Sequence, residues 1–138
     1  MPAPFSGGCL CGAIRYESRA EPLFSINCHC RDCQRTTGTA YAPVLAVPRD
    51  ALSTTQGEPT YYTSQSDSGE TVSRGFCPEC GSGIFSKLSA NPDIVGLKAA
   101  SLDDPSWFRP AMDIYTDSAQ PWDVMNPDLP KVPKMPQM

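Results

Sequence analysis

Seven cysteines hold most of the chemistry this sequence offers, and they fall by spacing into three groups. Cys28, Cys30 and Cys33 crowd the stretch INCHCRDCQRTTG, residues 26–38, with the single histidine, His29, between the first two. Cys9 and Cys11 form CLC, and Cys77 and Cys80 form CPEC, followed by Gly81. A C-P-x-C-G turn aims two sulfurs at one ion, and its glycine lets backbone amides approach them. Two residues apart on a strand, Cys9 and Cys11 project to one face and supply two more sulfurs. Together the two pairs predict a closed, four-thiolate structural zinc site. In small fingers such a site is worth on the order of 10–16 kcal/mol of apparent binding energy. A disulfide or plain buried thiols are the alternative, and an odd cysteine count with a CPEC turn argues against it.

The remaining three cysteines, in CHCRDC, join a Cys-x-Cys to a Cys-x-x-Cys, so three sulfurs can face one ion. His29 lies between two inward-pointing positions, and its ring is expected to turn the other way, half-buried beside the site rather than ligating. Cys33 falls in the first turn of a predicted short helix, where the helix dipole favours a thiolate. Arg31 and Arg35 add positive charge nearby, unless they simply form a solvated helix face. Three protein ligands and an open fourth position are the pattern of a catalytic zinc. Thiolates donate strongly, so this ion is expected to be a weak Lewis acid. It suits an exchangeable soft ligand such as a substrate thiol, which it would hold as thiolate near neutral pH.

Short strands must position these groups. Fifteen prolines and ten glycines imply many turns and a β-rich fold. Alternating or apolar runs predict strands at 13–17, 23–28, 40–47, 60–64, 71–77, 83–88, 94–100 and 111–116, with QSDSGE as the link of a hairpin. The helix is expected to start near Arg31 and stop at Gly38, and PRDAL to make a turn. Pro43 points to a sheet edge or bulge for its strand. The chain divides into a zinc-binding domain, 1–120, and a proline-rich tail, 121–138, with prolines at 121, 127, 130, 133 and 136. The tail is expected to be extended, and either anchored to the body through Trp122 and Leu129 or loosely held and partly disordered.

With 138 residues the chain suits one domain that can bury a core of its own. Its net charge of −4 and pI near 4.8 offer no basic stripe for nucleic acid. No apolar run approaches the roughly 18 residues of a membrane helix. The start, MPAPFSGG, has no positive cluster followed by an apolar run, so no leader peptide is expected. The cytoplasm is the expected compartment, where cysteine clusters more often mean metal or redox chemistry than disulfides.

These motifs together resemble the glutathione-dependent formaldehyde-activating enzyme family, which also includes centromere protein V. The resemblance runs from GGCLCGAIRYE through CHCRDCQRTTGTAYAP and GFCPECGSGIF to AQPW. It implies a mainly β fold, a β-tent of antiparallel sheets organised around a structural zinc site, with short helical turns. It implies two zinc ions, one structural on Cys9, Cys11, Cys77 and Cys80 and one catalytic on Cys28, Cys30 and Cys33. The activity it implies is carbon–sulfur lyase chemistry, the condensation of formaldehyde with glutathione to S-hydroxymethylglutathione. Many members carry a histidine before the isoleucine of the last strand, whereas this chain reads MDIYT, with Asp113 there.

The leading expectation is therefore a zinc enzyme acting on a small thiol adduct of an aldehyde, with glutathione as the candidate thiol and the oligomeric state left open. An anionic thiol needs cations, drawn from Arg15, Arg31, Arg35, Arg49, Arg74 and Lys87, while Thr36, Thr37 and Tyr41 could bond it or merely cap and pack. A non-catalytic zinc module that docks partners through its tail is the second reading, and redox sensing through Cys28, Cys30 and Cys33 the third.

Overall fold

Ten strands in two sheets and one short α-helix make up the computed structural model, which describes residues 2–136. Residues 1, 137 and 138, at the outer ends of the two predicted segments, lie outside the described residues. Strands β1 (Phe5–Gly8), β2 (Arg15–Ser18) and β5 (Leu52–Gln56) form a three-stranded sheet in the order β1-β2-β5. The larger sheet has the order β10-β3-β4-β9-β8-β7-β6. Its members are β3 (Phe24–Cys28), β4 (Ala42–Pro48), β6 (Thr60–Gln65), β7 (Thr71–Phe76), β8 (Gly83–Leu88), β9 (Ile94–Lys98) and β10 (Met112–Ile114). Helix α1 spans Arg31–Thr37, and 3-10 turns occur at Arg49–Ala51, Ala99–Ser101, Pro105–Trp107 and Thr116–Ser118. The mainly β architecture with short helical turns is thus as the sequence implies. Its neighbours pair antiparallel except β10, which runs parallel to β3. Among the described residues no helix is long and apolar enough to cross a membrane.

Period-two alternation decides what each face of the large sheet does. Leu45, Val47, Val95, Leu97 and Phe85 are buried and pack with Phe5, Ile14 and Tyr16 of the small sheet's region into the main core. The intervening residues Phe24, Ile26, Val44, Ala46 and Gly96 turn to the opposite face, where they line a cavity. Full burial of a leucine such as Leu45 or Leu97 stabilises by about 1.5–3 kcal/mol. Tyr16 couples the two layers, edge-on to Phe85 and hydrogen-bonded to Ser101 at 2.7 Å.

Pro43 departs from expectation. β4 lies in the middle of the sheet, between β3 and β9, not at an edge. The proline is tolerated because pairing with β9 begins only at Val44, so Pro43 has a ladder partner on one side alone, Asn27 of β3. The tail departs too. Trp122 stands 67% exposed, whereas Leu129 is half-buried. Instead residues 130–134 run beside the outer edge of β10: Asp113 N donates to Pro130 O (2.9 Å), Val132 N to Asp113 O (3.0 Å) and Tyr115 N to Lys134 O (3.1 Å). That covers the free edge of β10, and Pro130 and Pro133 keep the segment from templating another strand.

Candidate functional site

The first cysteine group assembles from two facing turns. Cys9 and Cys11 lie in a turn just after β1, not on the strand itself, closed by Gly12 N to Cys9 O with Gly12 at φ +81°. Leu10, between the two cysteines, is 88% exposed. CPEC closes by Gly81 N to Cys77 O (2.8 Å), with Gly81 also at φ +81°, where a side chain would be strained. Backbone amides point at sulfur, Ile14 N to Cys9 Sγ (3.2 Å) and Glu79 N to Cys77 Sγ (3.4 Å). Leu10 N donates to Ser82 Oγ (3.0 Å) and links the turns. The sulfurs of Cys9, Cys11, Cys77 and Cys80 all lie within 4.8 Å of one another. Hydrogen bonds from Ser82, side chain first and then backbone, hold the Cys80 thiol down to about 5. Four converging soft donors with amides aimed at them fit a thiolate-bound metal ion.

The second group forms where β3 runs into α1. Cys28 is the last residue of β3, Cys30 is the helix N-cap and Cys33 lies in the first turn. The Cys30 sulfur accepts from Cys33 N (3.3 Å), so this cysteine does the capping usually left to Ser or Asp. Gly38 ends the helix in the left-handed conformation, as its position predicts. The sulfurs of Cys28, Cys30 and Cys33 again lie within 4.8 Å of one another, and this set can also hold a metal ion. Cys33 is the sulfur most readily ionised. Hydrogen bonds from Cys28 and then Cys30 pull its pKa down to about 3, with help from the positive charges of Lys98 and Arg74. The same sharing drives Cys28 strongly upward. The seven cysteines are free thiols, without disulfides.

These three cysteines form part of the wall of a cavity of about 370 Å³ on the open face of the large sheet. Tyr115 also lines it, in a left-handed conformation (φ 56°, ψ 39°) rare for a residue with a side chain. Burial, before any neighbouring charge, pushes the Tyr115 phenol upward, so it keeps its proton at neutral pH. A second cleft adjoins the helix end, with Thr36, Thr37, Tyr62, Arg74 and Lys98 on its walls. Lys98 donates to Ser86 Oγ (2.9 Å), and Ser86 belongs to the cavity wall, so this pair marks the boundary between the two spaces. Burial lowers the Lys98 ammonium from its usual range, and the nearby Cys33 opposes that loss. Neither Lys98 nor Arg74 has a carboxylate partner among the described residues.

His29 is fully buried rather than half-buried, and it turns away from the sulfurs. Its Nε2 lies 2.9 Å from Asp113 Oδ1 and its Nδ1 3.3 Å from Asp123 Oδ2, while Lys131 Nζ reaches Asp113 Oδ2 at 3.3 Å. Asp113 therefore does not face the cavity; its neighbours Met112 and Ile114 do. Gln34 completes the back of the site, donating to His29 O (2.7 Å) and Ser118 O (3.0 Å).

Of the cations named from sequence, Arg74 is the one whose charge lowers the Cys33 thiol. Arg15 pairs with Asp103, Arg31 and Arg35 are exposed on α1, Arg49 is exposed, and Lys87 sits 4.7 Å from the Tyr61 ring centre. Thr36 and Thr37 bond back to Cys33 O, and Tyr41 packs on His29. Lys98, Tyr115 and Asp123 escaped the sequence reading. Lys98 had a usable signal, since it follows Gly96 by two on β9 and so shares the cavity-side face.

Comparison with known proteins places this arrangement. A "Putative glutathione-dependent formaldehyde-activating enzyme" of Penicillium rubens is 29% identical over 114 residues, 77% of this chain and 59% of its own length. One of the same description from Phaeosphaeria nodorum is 26% identical over 122 residues, 83% of this chain and 63% of its own. The chain thus spans about three fifths of these relatives' length. A Rhodobacter sphaeroides protein of known crystal structure shares the fold, with a TM-score of 0.59 at 23% identity, covering 92% of this chain and 99% of that one. The model of the family described as glutathione-dependent formaldehyde-activating enzyme matches residues 4–118, and the chain belongs to that family.

Proposed function

We propose that this chain is a zinc-dependent carbon–sulfur lyase-type enzyme that joins a small, glutathione-like thiol to an aldehyde, or releases it. The observation that carries this reading is the meeting of three sulfurs, a cavity and two cations without carboxylate partners at one place. Cys28, Cys30 and Cys33 would hold a catalytic zinc, and Cys9, Cys11, Cys77 and Cys80 a structural one. When bound at the three-cysteine site, zinc would keep an incoming thiol as thiolate near neutral pH.

The chain's own residues supply the rest. Arg74 and Lys98 bind the carboxylates of the thiol compound and offset the negative charge that gathers around the sulfurs. Cavity walls exclude water from the carbonyl. Tyr115, kept protonated by burial, donates a hydrogen bond to the carbonyl oxygen as charge develops there. His29, held from behind by Asp113 and Asp123, fixes the backbone between Cys28 and Cys30. Residues 1–120 form the zinc-binding domain in this reading, and 121–138 its tail, of which residues 130–134 cover the outer edge of β10. Reduced cysteines suit a cytoplasmic setting. The relatives' name supports glutathione as the thiol and formaldehyde as one aldehyde.

The test is turnover. Zinc-loaded protein should speed the approach to equilibrium between glutathione and an aldehyde, read by exchange-resolved NMR, beyond the uncatalysed rate. No acceleration with any aldehyde, at full zinc occupancy, would refute the enzymatic reading.

A further inference from the structure

Formaldehyde has two heavy atoms and is only slightly larger than water, whose share of liquid volume is about 30 Å³. The cavity beside the three cysteines, at about 370 Å³, is more than ten times larger than that. It is also apolar. Phe24, Ile26, Val44, Leu88, Ile94 and Met112 are among the apolar residues of its wall. Apart from the cysteines and Tyr115, its only ionisable lining group among the described residues is Asp67, an exposed carboxylate paired with Lys134 at 3.5 Å. The floor is kept deep by small residues, Ala46, Ser86 and Gly96. A Cβ on Gly96 would already stand 3.1 Å from Val44 Cγ1, so any side chain there would begin to fill the space.

This space cannot serve glutathione's carboxylates, because an unpaired charge in apolar surroundings is costly and Asp67 would repel it. The cations lie on the other side of the Lys98–Ser86 boundary, in the second cleft. The site therefore has an apolar half, which the three sulfurs line, and a cationic half, whose Lys98 and Arg74 charges act on Cys33.

We propose that the apolar half receives the carbon skeleton of a medium-chain aliphatic or aryl aldehyde, while the cationic half receives the anionic thiol. The assignment rests on the thiol-binding reading above and names its second substrate. The reaction is addition of a thiol across a carbonyl. The sulfur–carbon bond forms, the carbonyl π bond breaks and the thiol proton ends on the oxygen, so no oxidant or reductant enters. Lyase turnover is the same step in reverse.

The test is calorimetric titration of the zinc-loaded chain with glutathione, S-methylglutathione and S-octylglutathione, the last two as stable stand-ins for a small and a large adduct. S-octylglutathione should bind at least tenfold more tightly than S-methylglutathione. Ile94→Asp should remove that preference, whereas Ile94→Val, which keeps the wall apolar and controls for folding, should retain it. Equal affinity for the two thioethers, with glutathione itself bound, overturns the aldehyde assignment and leaves the thiol reading standing. A preserved chain-length preference without any glutathione binding supports the apolar half while overturning the thiol reading. Failure of all three ligands to bind overturns both.

Discussion

His29 shows how a residue of apparent metal-binding type can serve the site from behind. It is buried between Asp113 and Asp123, and Lys131 neutralises the outer oxygen of Asp113. Removing one member leaves charge buried without its partner, which commonly costs about 3–5 kcal/mol. Asp113→Ala should therefore lower stability by roughly 3 kcal/mol, read by urea unfolding with the m-value unchanged. A loss under 1 kcal/mol, on the order of an exposed ion pair, would count against the buried network. In the second cleft the important charges are Arg74 and Lys98. Arg74→Met or Lys98→Met should each weaken glutathione binding roughly tenfold, the worth of a charged hydrogen bond, with a shallower salt dependence than the parent. Unchanged affinity in both would move the anion site elsewhere. Of these residues, the sequence exposed the cysteines by spacing and His29 by its place between them. Asp113 appeared only as an odd residue before Ile114, because its partner lies 84 positions away and no local pattern encodes that distance.

Among the elements, spacing and alternation located β2, β3, β4 and β6 to β10 within a few residues. They missed β1 and β5. FSGG is too short and glycine-rich to read as a strand, and LSTTQ lies mostly in solvent, so it carries no alternation. The parallel seat of β10 and the docking of 130–134 against it were equally illegible, being set by main-chain hydrogen bonds rather than side-chain pattern. The tail is an element of the site's support. Truncation after residue 120 would remove Asp123 and Lys131 and uncover the outer edge of β10. The truncated chain should melt at lower temperature and self-associate through that edge, as sedimentation velocity would show. An unshifted melt and a monodisperse profile would make the tail dispensable.

On the scale of the whole molecule, the two cysteine clusters differ in what they hold together. The four-cysteine cluster joins the turn after β1 to the turn between β7 and β8, so it ties the small sheet to the large one. The three-cysteine cluster spans only β3 and α1, which the chain already connects. A chelator should accordingly remove zinc in two phases. The first ion leaves from the open site without a change in circular dichroism, and the second leaves with unfolding. A single phase accompanied by unfolding would contradict this division of roles.

The central claim, an open thiol-accepting zinc site beside a closed structural one, is tested most directly by native mass spectrometry. The protein should be prepared anaerobically with zinc, and measured with and without glutathione. Two zinc ions per chain, and a glutathione-sized mass increment that Cys33→Ser abolishes, are the predicted result. One ion per chain with no increment would contradict it, leaving a structural site alone and favouring a module that binds rather than catalyses.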